Sequence, residues 1–332
     1  MIIFELHTLA VSHAFLYGVI GIFALIVLIS LAAFKMHNKR LIEAKADLEK
    51  IVEERTADLK QKEQEITDSI RYALRIQLSI IPTAERVKAL LPESMVFYKP
   101  KDIVSGDFYW VEEINDEVLF SAVDCTGHGV PGAMMSVIGL KSLTQAVQDK
   151  KLSQPADVLQ YLDIAVNDTL RQSSDINAVK DGMDLALCNI NFKTLLLQYA
   201  GAFNPVCIIR KNISNTYQPK NSREVFYGTD LLEIKSDKFP IGSNADGVAD
   251  TFTNHSFQLQ KDDCVYIYTD GYADQFGGPK GKKFKYNQLK DVLVANAHLP
   301  ISQHFAVLDQ AFTQWKGSHE QVDDVLVIGI KI

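Results

Sequence analysis

The sequence predicts an α+β fold preceded by a membrane helix and a coiled-coil helix. An uncharged apolar run near the start is followed by a highly charged stretch, and the rest alternates short apolar runs with helix-length segments. Several of the apolar runs form hairpin pairs, which favours antiparallel strands and the α+β class. The expected boundaries are 1–34 for the anchor, 35–84 for the coiled-coil and linker helix, and 85–332 for the α+β domain.

The membrane helix is predicted in residues 15–34, which hold no charged side chain and are about as long as a helix that crosses a bilayer. The first 14 residues hold Glu5 but no Lys or Arg, whereas Lys35, Lys39 and Arg40 follow the run. This asymmetry argues against a cleaved signal peptide. By the positive-inside rule the chain crosses the inner (cytoplasmic) membrane once, with the rest of the protein in the cytoplasm. The alternative is a buried core helix.

A coiled coil is predicted for the charged stretch. Residues 35–75 hold ten basic and nine acidic residues and no Pro or Gly. Apolar or small residues recur at a spacing close to 3.5 residues. These are Leu41, Leu48, Val52, Leu59, Ile66, Ile70 and Ala73. A parallel homodimer is expected, with a single helix lying on the next domain as the alternative. Pro82 should end the helix, so that 70–84 would link the anchor to the α+β domain.

The α+β domain is predicted from runs of period 2 and period 3.6. Strands are expected at 96–98, 108–112, 118–123, 184–191, 195–200, 206–210, 264–269 and 325–330, and helices at 131–149, 156–172 and 301–316. The hydrophobic share of 47% indicates a substantial core. A net charge of −7 argues against nucleic acid as a partner.

The four cysteines are widely spaced and show no pattern typical of zinc ligands. They are Cys125, Cys188, Cys207 and Cys264. We expect reduced, mostly buried thiols in the cytosol, and neither a disulfide framework nor a zinc site.

Acidic residues lie at the ends of several predicted strands: Asp107, Asp124, Asp270, Asp323 and Asp324. In an antiparallel sheet, the end of one strand and the start of its neighbour share an edge, so these carboxylates can converge. Oxygen ligands without a Cys or His cluster suit Mn²⁺ or Mg²⁺, and this many acids suffice for two ions. Two ions would activate a hydroxide for attack on a substrate. The alternative is that each Asp is a turn residue.

Five segments resemble, in order and approximate spacing, those of the SpoIIE-like bacterial serine phosphatases, a branch of the metal-dependent type 2C (PPM) protein phosphatases. The segments are SGDFYW (105–110), DCTGHGVPGAMMS (124–136), DGMDLALC (181–188), YTDGYADQFGG (268–278) and DDVLVIGI (323–330). The resemblance covers nearly all of 85–332. It implies an α-β-β-α sandwich of two antiparallel sheets between helix layers, with a two-metal site at one end.

The resemblance also implies roles for individual residues. Asp124 resembles the carboxylate that bridges both ions, and the carbonyl of Cys125 resembles the neighbouring ligand. Asp107 resembles an acid that binds through metal-held water. Asp270 and Asp323 resemble ligands of the second ion, and Asp324 is the other candidate of its pair. Asn204 stands where related phosphatases have an Asp that holds a weaker third ion, and this departure leaves open whether a third metal binds.

Other residues in or near these segments have two interpretations each. His128, in a Gly-His-Gly turn, is either the general acid for the leaving serine or a structural residue. The basic loop 277–283 either docks an acidic protein or is a solvated hairpin tip. Lys99 and Lys101 either steer phosphate or lie at a solvated strand end. Asp181 and Asp184 are expected to be structural, and the pair Met134 and Met135 to pack in the core.

The sequence is therefore interpreted as a membrane-anchored protein serine/threonine phosphatase that acts on a phosphorylated cytosolic regulatory protein. The resemblance suggests an anti-sigma-factor antagonist as that substrate. One alternative is a catalytically idle dimeric scaffold, but a scaffold has no need to keep carboxylates that repel one another. A nucleotidyl cyclase is a third possibility, and no base-selecting residues support it.

Overall fold

The structure is a computed structural model that describes residues 2–171, 181–242 and 251–332. The chain divides into two compact units, residues 1–68 and residues 69–332. Helix α1 (Ile2–Ile80) supplies the first unit and the start of the second. It ends just before Pro82, as predicted, and Thr83 then caps the next helix by accepting a hydrogen bond from the Arg86 amide.

The first unit is a single helix whose described side chains are almost all exposed; Thr67 alone among them is partly buried. By length and composition, this helix could cross a membrane, and no part of its apolar window is buried. Ion pairs one helical turn apart, such as Lys45 with Glu49 and Lys50 with Glu54, support the charged part. The heptad side chains of Leu48 and Leu59 are 62% and 66% exposed.

The second unit contains the remaining elements. Its helices are α2 (Ala84–Leu90), α3 (Gly129–Gln148), α4 (Pro155–Arg171), α5 (Ile213–Thr216), α6 (Gly271–Asp274), α7 (Tyr286–Asn296) and α8 (Ile301–Lys316). Its strands are β1 (Ser94–Lys99), β2 (Phe108–Ile114), β3 (Glu117–Cys125), β4 (Met183–Asn191), β5 (Leu196–Ala202), β6 (Val206–Ile209), β7 (Glu224–Tyr227), β8 (Leu231–Ile234), β9 (His255–Gln258), β10 (Cys264–Tyr268), β11 (Phe276–Gly277), β12 (Lys282–Lys283) and β13 (Val325–Lys331).

The long strands form two antiparallel sheets. One sheet has the order β1-β13-β10-β6-β8-β7, and the other has the order β2-β3-β4-β5-β9. A small hairpin of β11 and β12 stands apart. Most strands of the two sheets are apolar on both faces, as expected for sheets that are covered on both sides.

Three apolar layers hold the sandwich together. The central layer lies between the sheets and takes alternate residues of each strand, such as Phe120 of β3 and Ile267 of β10. A second layer, which includes Leu119 and Val123, packs against α3 and α4. A third, which includes Tyr266, packs against α7 and α8. The order of layers is therefore α-β-β-α, as the sequence resemblance implied.

The long predicted elements lie within a few residues of their expected positions, and the predicted helix 301–316 matches α8. Residue 172, the last of the predicted helix 156–172, lies outside the described residues. The four-residue strands β7, β8 and β9 and the helix α7 were not predicted. A four-residue strand is recognisable when it is apolar throughout, as β6 is, whereas the mixed sequences of β7, β8 and β9 hold too little periodicity to separate a strand from a loop. All four cysteines are buried free thiols, as expected.

Candidate active site

The strand-end carboxylates lie at one end of the sandwich. β10 and β13 pair with Tyr268 opposite Val327, so Asp270, just after β10, and Asp323, just before β13, share an edge. In the other sheet, Asp124 lies opposite Asp184 on the paired strands β3 and β4. Asp107 precedes β2, whose first residue pairs with Val123 of β3. The fold thus brings acids from both sheets to one place.

Burial and mutual repulsion raise the pKa values of these acids. Burial raises the pKa of Asp107 well above its usual range, and the nearby charges of Asp324, Asp323 and Asp270 raise it further. The pKa of Asp124 is raised well above its usual range by burial and by its charged neighbours, Asp107 first among them. Burial, and to a smaller extent the charge of Asp270, raises the pKa of Asp184 to about 6. A concentration of buried negative charge is therefore the main electrostatic feature of this site.

Two of the carboxylates, those of Asp324 and Asp107, accept hydrogen bonds from other groups of the protein. Asp324 accepts hydrogen bonds from the backbone amides of Lys101 at 2.7 Å and Gly106 at 2.8 Å, one on each oxygen. Asp107 accepts a bond of 2.6 Å from the hydroxyl of Thr269. Each contact joins the loop before β2 to the β10–β13 pair, so these two acids fix the loop in place.

The remaining acids have the chemistry of a site for hard divalent cations. Asp124 and Asp270 hydrogen-bond to each other, and burial, followed by repulsion between the acids, raises the pKa of each. Among the described residues, no three His, Cys, Asp or Glu side chains surround a single point. The fold sets the burial of these carboxylates, whereas a small rotation of an Asp side chain can open the Asp124–Asp270 contact. All donors are oxygens, which fits Mn²⁺ or Mg²⁺.

Three glycines let the loops around the acids touch through their backbones. A Cβ atom on Gly132 would lie 2.2 Å from the carbonyl oxygen of Gly127, and one on Gly106 would lie 2.5 Å from the same atom. Gly127 and Gly129 have φ of +84° and +66°, which only glycine adopts readily. The same hypothetical Cβ on Gly106 would lie 3.2 Å from the carbonyl oxygen of Cys125. That oxygen therefore faces the loop that carries Asp107.

His128 is exposed at the start of α3, and its Nδ1 lies 2.7 Å from Oδ2 of Asp102. It is close enough to Asp323 for their charges to interact. Sequence reasoning did not find Asp102, because a carboxylate 26 positions away leaves no local pattern. The contact fixes the orientation of the imidazole ring and leaves Nε2 available.

The end of α1 also reaches the site, through the buried side chain of Gln77. Its amide nitrogen donates to the carbonyl oxygen of Ser105 at 2.6 Å and to the hydroxyl of Ser136 at 2.9 Å, and its oxygen accepts from the Ser105 amide at 3.2 Å. Ser105 is two residues before Asp107. The predicted link 70–84 therefore contains a residue that holds the loop carrying Asp107, although sequence reasoning did not single it out.

Several other predicted residues have different surroundings from those expected. Lys99 forms an ion pair with Asp309 and lies over the ring of Phe312, so it is not a solvated strand end. Met135 is buried as expected, whereas Met134 is 67% exposed, since successive side chains of a helix such as α3 project about 100° apart.

The structure also shows the surroundings of the basic loop 277–283 and of Asn204. Loop 277–283 contains the β11–β12 hairpin, and a Cβ on Gly277 or Gly278 would clash with Trp315. Lys283 of this hairpin pairs with Asp274. Asn204 is buried, and its side-chain nitrogen finds no acceptor among the residues that the structure describes.

Comparison with known proteins places this geometry in a family. The family model of stage II sporulation protein E (SpoIIE) matches residues 115–332. No curated protein sequence matches the chain significantly. The solved SiaA-PP2C domain of Pseudomonas aeruginosa is similar to it with a TM-score of 0.68 and 28% identity, over 81% of this chain and 98% of that one. The PP2C phosphatase domain of SpoIIE from Bacillus subtilis, solved with a fragment of its regulatory domain, is similar with a TM-score of 0.53 and 17% identity, over 72% of this chain and 63% of that one.

The family model covers about two-thirds of the chain, including the segments that carry Asp124, Asp270 and Asp323. The two antiparallel sheets flanked by helices are the fold of the PPM phosphatases. Phosphatases of this family depend on manganese or magnesium. The chain belongs to the SpoIIE family of PP2C-type (PPM) protein serine/threonine phosphatases.

Proposed function

We propose that this phosphatase is anchored in the cytoplasmic membrane and dephosphorylates phosphoserine or phosphothreonine on a cytosolic regulatory protein, using two Mn²⁺ or Mg²⁺ ions. The observation that carries the proposal is the group of buried, mutually repelling carboxylates where the two sheets meet. Such a group costs stability unless cations neutralise it.

The proposal gives each acid a role. Asp124 and the carbonyl of Cys125 would hold the ions from β3, and Asp270 and Asp323 would hold them from the other sheet. Asp107 lies deeper, which suits a contact through water. When bound, the ions would supply the positive charge that binds the phosphate and lowers the pKa of a water molecule. We assign Asp324 to holding the loop rather than to direct ligation, since both its oxygens already accept backbone hydrogen bonds.

His128 is proposed as the general acid that donates a proton to the leaving serine or threonine oxygen. It is exposed, lies near Asp323 and is oriented by Asp102, so that Nε2 can face a substrate bound at the acids. Asp102 does not touch the substrate in this proposal and is a positioning residue.

Membrane anchoring and dimerisation extend the proposal to the first unit. The unburied apolar segment of α1 supports a membrane span, and the exposed heptad side chains support pairing with a second copy. Recovery of the full-length protein in the membrane fraction, with release only by detergent, is expected. An anti-sigma-factor antagonist is proposed as the substrate because the family includes regulatory phosphatases.

The first experiment measures phosphate release from p-nitrophenyl phosphate by the full-length protein in detergent, with and without Mn²⁺. We expect manganese-dependent turnover that Asp124→Asn reduces by at least about a hundredfold, because the amide would replace a carboxylate proposed to hold the ions. The matched control is Asp116→Asn, since Asp116 lies in the exposed β2–β3 turn and pairs there with Lys193. A folded protein that binds Mn²⁺ but releases no phosphate from this compound or from a phosphoserine protein would favour the scaffold instead.

A further inference from the structure

A cavity lies beside the acidic group and takes no part in the proposed hydrolysis of the phosphate ester. Its volume is about 470 Å³. The residues that line it include Phe203, Pro205, Lys235, Lys238, Tyr268 and Tyr286. We call it the tyrosine pocket. Its position between the loop after β5, the end of β8 and the start of α7 brings together three segments that are far apart in the sequence.

The tyrosine pocket adjoins the active site. Tyr268 is the last residue of β10 and is followed closely by Asp270, and its ring lies 5.9 Å from the ring of Tyr286. Burial raises the pKa of Tyr286, and the nearby charges of Asp270, Asp274 and Asp124 raise it further. A segment bound at the acids therefore needs to extend by only a few residues to enter the pocket.

The walls of the pocket are mainly aromatic and apolar. Phe203 is 46% exposed although its φ is +57°, a conformation that is costly for a bulky side chain. Its backbone amide donates to the carbonyl oxygen of Asp237 at 2.9 Å, which helps to hold this conformation. The fold therefore keeps an aromatic side chain exposed at the pocket edge at some cost in stability, as expected of a surface that contacts a partner.

The charges at the pocket are positive and unbalanced. Lys235 and Lys238 are exposed, and neither forms an ion pair with any residue that the structure describes. A third lysine, Lys290, is neutralised by an ion pair with Glu233. In a protein of net charge −7, two unpaired lysines beside an apolar cavity favour an acidic partner.

We propose that the tyrosine pocket binds an apolar side chain of the protein substrate, close in sequence to the phosphorylated residue, and that Lys235 and Lys238 bind acidic residues that flank this side chain. The inference rests on the proposed function, since it defines the substrate of the same active site. It assigns to the enzyme a preference for phosphorylated segments that are both apolar and acidic. A small phosphate ester lacks the flanking segment that this proposal places in the pocket.

The test compares two phosphoserine peptides that carry one leucine near the phosphoserine, flanked by Glu in one peptide and by Lys in the other. For each peptide, kcat/KM is divided by the value for p-nitrophenyl phosphate measured with the same protein. The full-length protein should prefer the Glu-flanked peptide. In the Lys235→Glu/Lys238→Glu variant this preference should fall by about tenfold or more, because two attractive contacts become repulsive.

The matched control is Lys211→Glu/Lys261→Glu, which makes the same change in net charge. Lys211 follows β6 and Lys261 precedes β10, so both lie at the opposite end of these strands from the pocket. The preference should survive in this variant. Phe203→Ser should reduce kcat/KM for the Glu-flanked peptide more when it carries leucine than when it carries alanine.

The possible outcomes separate the two proposals. If p-nitrophenyl phosphate is hydrolysed but both peptides react equally well, or both double variants behave alike, the pocket proposal is wrong and the phosphatase stands. If the unmodified protein hydrolyses neither the small ester nor the peptides, the proposed function fails, and the pocket proposal fails with it.

Discussion

At the scale of single residues, the burial of the carboxylates, together with their mutual repulsion, links the stability of the ion-free protein to pH. The pKa of Asp184 is raised to about 6 from 3.8, and those of Asp107 and Asp124 are raised as well. A carboxyl group with a raised folded-state pKa contributes stability that is fully present below its unfolded pKa. This contribution is lost as the pH rises through the folded value.

We therefore predict that the full-length protein with a chelator unfolds at a lower temperature at about pH 7.5 than at about pH 5. Mn²⁺ should raise the unfolding temperature more at the higher pH, by roughly 2–4 °C for each kcal/mol of repulsion that it removes. Thermal unfolding followed by near-ultraviolet circular dichroism measures both effects. Asp184→Asn should flatten the dependence on pH, and a stabilisation by Mn²⁺ that is equal at both pH values would contradict this account.

His128 gives a second prediction at this scale. A general acid matters most when the leaving oxygen is a poor leaving group. His128→Gln should therefore slow hydrolysis of a phosphoserine peptide by about 10²–10⁴-fold and that of p-nitrophenyl phosphate much less. Asp102→Asn, which leaves the imidazole without its partner, should give a smaller change in the same direction. An equal loss on both substrates would mean that His128 is not the general acid.

At the scale of elements, the end of α1 positions the loop that carries Asp107. Gln77→Ala removes three hydrogen bonds to Ser105 and Ser136. We expect the Mn²⁺ concentration for half-maximal activity to rise by about tenfold, equivalent to ~1.4 kcal/mol, while the domain stays folded. The measurement is a Mn²⁺ titration of phosphate release. Gln64→Ala, on an exposed part of the same helix, is the matched control. An unchanged Mn²⁺ requirement would show that the contact is only structural.

At the scale of the whole molecule, the heptad positions of α1 predict a dimer. Leu48 and Leu59 are exposed in the single chain and lie on the apolar stripe. Leu48→Lys/Leu59→Lys should halve the protein mass measured by light scattering in detergent, because two charges at the seam oppose association. Lys50→Ala/Lys60→Ala, away from the stripe, should leave the mass unchanged. A monomeric unmodified protein would rule out the coiled coil and favour a lone helix.

The sequence by itself determined the class of the fold and most of its acidic centre. Runs of period 2 and 3.6 reflect burial of one face or both, so long elements such as α8 are visible in the chain alone. The Asp residues were visible because strand ends are marked by the change from apolar to acidic residues, as at Asp124 and Asp270. Pro82 marked the end of α1, since it cannot continue a helix.

Only the tertiary structure decided which residues, distant in the sequence, contact the acids and the loops around them. Gln77 and Asp102 act on positions 28 and 26 residues away, and no local pattern records such a contact. Asp184 gains its position opposite Asp124 only through strand register. The tyrosine pocket likewise exists only where three separate segments meet. Local propensity and periodicity are read over a few neighbouring residues, whereas a site depends on long-range packing that only the folded chain provides.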